Sequence, residues 1–93
     1  MSHVVQEKTG LLGRVRRIRG QMEAIERSLE QESGGCADIL MLIASVRGAV
    51  NGLMAEVMTD HIRHHVLDPD QNPASDQSQG VRELMAAIQT YLR

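Results

Sequence analysis

Apolar residues recur along this chain at alternating intervals of four and three, the spacing of one helical face, in two long stretches. In the first, Leu11, Val15, Ile18, Met22, Ile25 and Leu29 keep the rhythm without a break; in the second, Ile39, Ile43, Val46, Val50, Leu53 and Val57 do. Neither stretch contains proline. Helices are therefore expected over residues 6–32 and 36–66, each carrying an apolar seam that needs a partner. Ser33, Gly34 and Gly35 separate them: glycine costs about 1 kcal/mol in a helix interior and serine is a good N-cap, so the chain is expected to turn there. Asp68-Pro69-Asp70 and Asn72-Pro73 disfavour continuation of the second helix and open a polar linker over residues 67–79. Val81, Leu84, Met85, Ile88 and Leu92 then share one face of a short third helix, expected over residues 79–92 against the outer side of a bundle. Residues 1–5 precede these elements as an arm.

The expected class is thus all-α. At 93 residues, the chain is expected to form one small domain spanning residues 1–93. With no Phe, no Trp and Tyr91 as its one aromatic, the apolar content is aliphatic and methionine-rich, which suits a helical interface. A net charge of −2 gives no global attraction for nucleic acid, but the charges are segregated. Lys8, Arg14, Arg16, Arg17 and Arg19 precede the acidic Glu23, Glu26 and Glu30, whereas Asp68, Asp70 and Asp76 fall together later. The single cysteine excludes an intrachain disulfide. No apolar run approaches the roughly 20 residues of a membrane span, and no signal peptide is visible. The expected location is the reducing cytoplasm, without a membrane partner, where Cys36 stays a thiol or thiolate.

Candidate chemistry collects on the second helix. Projected at about 100° per residue, Cys36, His61 and His65 fall near one another on one edge of the apolar seam, with His64 on the other side. His61 and His65, at i and i+4, can bind one divalent ion, and neutral imidazole suits zinc, nickel, cobalt and copper. The plain alternatives are surface histidines and a cysteine serving as a small hydrophobe. On an unbroken helix Cys36 and His61 lie about 37 Å apart at about 1.5 Å per residue, so one ion cannot join them within a chain. A shared site requires the thiol of a second subunit whose matching helix runs antiparallel. At the N-terminus, loss of Met1 would leave the Ser2 amine beside the His3 imidazole, a two-nitrogen chelate; an untethered tail with a solvated histidine is the alternative.

The first helix carries Arg14, Arg17 and Gln21 along one flank of its seam and Arg16 and Arg19 along the other. Two accounts fit this pattern: a solvated basic face balanced by the acidic residues beyond it, or a surface for phosphate oxygens and guanine edges, both of which suit guanidinium groups. In the second helix Arg47 stands beside the seam, and Gly48, Asn51 and Gly52 permit close helix approach.

The segment RVRRIRGQMEAIERSLE, the position of Cys36, and the block SVRGAVNGLMAEVMTDHI together resemble the CsoR/RcnR/FrmR family of bacterial all-helical transcriptional repressors, over essentially residues 3–93. The resemblance implies a three-helix protomer that forms antiparallel four-helix-bundle dimers around helices one and two. These pair into a dimer-of-dimers homotetramer that binds double-stranded operator DNA without a helix-turn-helix and lets it go when an effector binds. Such a protein is not an enzyme. Arg14, Arg17 and Arg47 are expected at the DNA, with Lys8, Arg16, Arg19 and Gln21 beside them.

The family sorts by four positions, here His3, Cys36, His61 and His65, a set that resembles the nickel and cobalt branch, in which the N-terminal amine also ligates. Three nitrogens and one thiolate suit zinc as well. The copper(I) branch places a second thiolate at position 65, where this chain has His65. The formaldehyde branch shares VRRIRGQ and LMAEV but carries proline at position 2, where this chain has Ser2, and often glutamate where His65 stands. A formaldehyde-responsive repressor is therefore the alternative expectation. A helical scaffold or adaptor that never meets DNA is the alternative from another class.

Overall fold

The computed structural model describes residues 8–32 and 34–92. Its elements are α1 (Lys8–Glu30), α2 (Cys36–His65) and α3 (Asp76–Tyr91), with no strand among the described residues. The all-α class and the three helices expected from the apolar rhythm are therefore observed. The expected arm and the first two residues assigned to helix one lie outside the described residues.

The ends of the helices depart from expectation by a few residues, each for a local reason. Helix α1 stops at Glu30, and Glu32 and Gly34 take left-handed backbone conformations, φ 51° and 76°, which turn the chain. Ser33, the expected cap of α2, lies outside the described residues, and the N-cap is Gly35. Its backbone N–H donates to Asp38 Oδ2 at 3.2 Å, so the acid in the first turn supplies the reciprocal half of a capping box. The α2 helix ends at His65, with the Val66 N–H returning to the Ile62 carbonyl. Helix α3 begins at Asp76, not near Gln79, because the Ser75 hydroxyl accepts from the Ser78 N–H and caps the earlier turn.

The linker before α3 is tied down by two arginines. Arg63, near the end of α2, contacts Asp70 at 2.8 Å and Asp68 at 3.6 Å. Arg82 on α3 donates to the Pro73 carbonyl at 2.8 Å and to Gln79 Oε1 at 2.9 Å. Pro69 is buried, and Ser78, in the first turn of α3, is fully buried.

Helix α1 packs along α2, and α3 packs on α2 but not on α1. The result is a plate of 56 × 27 × 12 Å, only about one helix diameter thick. Such a layer cannot enclose a core. Ile25, Ala55 and Ile88 are the buried apolar residues among those described. The α2 seam is split lengthwise: Ile39, Val46 and Leu53 are half-buried, while Ile43, Val50 and Val57 are exposed at 47%, 41% and 42%. Leu40, Met54 and Met58 widen that exposed face.

One sequence expectation is corrected here. Helix α2 contains an 18-residue window of mean hydropathy 1.4, with no residue of it fully buried, and by length and composition alone is long and apolar enough to cross a membrane. The absence of an uninterrupted apolar run concealed this, because small and weakly polar residues such as Ala44, Ser45 and Gly48 dilute the aliphatic positions without adding charge.

Candidate functional site

Cys36 occupies the first turn of α2 and is exposed with a free thiol. At the far end of the same helix, His61 and His65 are exposed, and their rings stack at a centroid separation of 5.0 Å and an interplanar angle of 28°. The i, i+4 spacing brings the two imidazoles together, as the helical period requires. The unbroken α2 keeps Cys36 away from them. Accordingly, no group of three or more His, Cys, Asp or Glu able to hold a metal forms among the described residues of one protomer. Ser2 and His3 lie outside the described residues. The donors present fit a borderline divalent ion in kind, two imidazoles and a thiolate, but one copy of the chain brings only the imidazoles together.

Most of the basic residues lie on α1. Lys8, Arg14, Arg16, Arg17 and Arg19 are exposed on α1, and Arg47 is exposed on α2. Among the described residues, Lys8, Arg16, Arg17, Arg19 and Arg47 form no ion pair. Two members of the set are instead tied to α2. Gln21 Nε2 donates to Ser45 Oγ at 3.1 Å, and Arg14 forms an ion pair with Glu56, Nε to Oε2 at 2.7 Å. Both contacts cross the α1–α2 interface, so each residue helps fix the helix register as well as the flank it lines.

Glu56 and Arg63 escaped the sequence reading. Each carried only a weak signal, a charge beside a seam, and its partner lies on another element: Arg14 is on α1, and Asp68 and Asp70 are in the linker. His64 lies beside the metal-competent pair, in a concave polar surface lined by Arg63, His65, Asp68 and Gln71.

Comparison with known proteins shows the family. Residues 7–90 match the model of a family described as "Metal-sensitive transcriptional repressor". Over the full length of both chains, the protein is 46% identical to the Serratia marcescens "Uncharacterized protein in bioA 5'region". It is also 33% identical, again over the full length of both, to "Transcriptional repressor RcnR" of Salmonella paratyphi B. With the family model matched over nearly the whole chain and a full-length relative among its repressors, the chain belongs to the family of metal-sensitive transcriptional repressors.

Proposed function

We propose that this protein is a cytoplasmic repressor that binds operator DNA in its metal-free form and releases it when nickel or cobalt binds, derepressing genes for metal efflux or detoxification. The observation that carries this reading is the unbroken α2, with Cys36 at one end, His61 and His65 at the other, and an exposed apolar face between them. An antiparallel second copy on that face brings unlike ends together, Cys36 of one chain beside His61 and His65 of the other. Two such dimers make the working homotetramer. His3 and the Ser2 amine complete the donor set from the N-terminal arm.

A nickel or cobalt ion held there supplies bonds that cross the subunit boundary. Arg14, Arg17 and Arg47 face the DNA, with Lys8, Arg16, Arg19 and Gln21 flanking them, and they neutralise phosphates in the metal-free state. Drawing Cys36 and the arm toward the opposite α2 end shifts α2, and the arginines on α1 and α2 lose their common register with the duplex. The coupling this requires is about 1–3 kcal/mol, a loss of about 5- to 150-fold in DNA affinity.

Parallel titrations of the DNA-bound protein with nickel, cobalt, zinc, copper(I) and formaldehyde test the reading. Release by nickel or cobalt at the lowest free concentration is the expected result. Release by formaldehyde, with no response to either metal, moves the protein to the formaldehyde-responsive branch. Failure to bind any duplex in the metal-free state leaves a helical scaffold.

A further inference from the structure

Arg14 differs from the other cations of α1. Arg16, Arg17 and Arg19 make no ion pair among the described residues, whereas Arg14 pairs with Glu56, Nε to Oε2 at 2.7 Å. One turn earlier on α2, a β-carbon added at Gly52 would stand 3.3 Å from Arg14 Nη1, a contact that would press the guanidinium away. The side chain therefore lies across the one place on this turn where α2 has no side chain of its own. The Glu56 carboxylate approaches on the Nε side, and a guanidinium carries five N–H donors. The Arg14 side chain is still 51% exposed, so the paired guanidinium remains within reach of an incoming anion. An ion pair of this kind, with the guanidinium packed at Gly52, restricts rotamer freedom before binding, which lowers the ordering cost at the moment of contact.

We infer that Glu56 is a positioning residue for DNA binding: it fixes the Arg14 guanidinium against α2, with Gly52 leaving the space, so that the Nη groups meet a backbone phosphate already oriented. This rests on the DNA-binding reading above and adds to it an acid that promotes binding to a polyanion. Charge alone predicts the opposite sign, because an acid removed from beside a basic surface raises the local positive potential.

The test uses full-length protein and a duplex enriched by the wild type from a random-sequence pool, with affinities measured by fluorescence anisotropy over a range of salt concentrations. Glu56→Ala is expected to bind about tenfold more weakly, with its salt slope shallower by about one for each phosphate that Arg14 no longer neutralises. Glu56→Gln, which keeps the shape and an acceptor oxygen but not the charge, recovers part of the affinity. In an Arg14→Ala background, Glu56→Ala produces no further weakening. Unchanged or tighter binding by Glu56→Ala, at wild-type helicity and sedimentation, overturns the inference. Equal weakening with and without Arg14 also overturns it, since that marks a structural role. A wild type that enriches no duplex overturns the repressor reading itself, and this inference with it; normal wild-type binding beside an indifferent Glu56→Ala overturns this inference alone.

Discussion

Cys36 and His61 are held at opposite ends of one unbroken 30-residue helix. At about 1.5 Å per residue they stand about 37 Å apart, and no rotamer change closes that distance. If these donors bind one ion, they do so in trans, and a heterodimer tests it. One protomer carries Cys36→Ala, the other His61→Ala with His65→Ala, and neither homodimer can assemble a complete set. Mixed after reversible dissociation, each heterodimer regains one intact end and should bind about half the wild-type amount of cobalt or nickel, with a thiolate-to-metal absorption band. Verified heterodimers without a recovered tight site would show that the thiol and the imidazoles do not combine.

Arg14→Ala should weaken operator binding at least severalfold while leaving the fold intact. The Arg14–Glu56 pair is half-exposed on the arginine side, so its net worth to stability is about 0–1 kcal/mol. Circular dichroism melts should shift by only a few degrees, whereas anisotropy titrations should show weaker binding and a shallower salt dependence. Arg17→Ala and Arg47→Ala, which break no ion pair among the described residues, should weaken binding with even less effect on the melt. Undiminished affinity in any of the three would remove that residue from the contact surface.

The exposed half of the α2 seam predicts association. Val50 is 41% exposed in the protomer and lies between Ile43 and Val57 on the same face. Val50→Asp should place an unpaired carboxylate inside the buried interface, costing several kcal/mol. Wild-type protein should sediment as an assembly and melt at temperatures that rise with concentration, and the variant should lose both properties. A variant that sediments like wild type would mean that this face stays in water.

Ser75→Ala should loosen the start of α3. The Ser75 hydroxyl accepts from the Ser78 N–H at 3.0 Å and lies 2.9 Å from the Ser78 hydroxyl, which is fully buried. Loss of such a cap costs about 1 kcal/mol. Amide exchange should quicken at Ser78 and Gln79 while the middle of α2 keeps its protection. Uniform exchange across α3 in both proteins would show that the cap contributes nothing measurable.

The sequence by itself determined the all-α class, the three helices and the seams they carry. Helical periodicity is local: whether Ile39, Ile43, Val46 and Val50 line one face depends on 3.6 residues per turn and on nothing distant. The pairing of His61 with His65, and the exclusion of Cys36 from them, followed from the same arithmetic. Helix ends were less legible, because a cap is one side-chain hydrogen bond, and Ser75 and Asp38 competed with other plausible residues for that role. Only the tertiary structure decided which half of the α2 seam turns inward. Ile39, Val46 and Leu53 meet neighbours within the chain, while Ile43, Val50 and Val57 are left outward, since a period names a face but not its partner. It also decided that Arg14, one cation among several on α1, is the one bound to Glu56. That choice depends on how α1 docks along α2 and on the gap at Gly52, and a spacing within either helix contains neither.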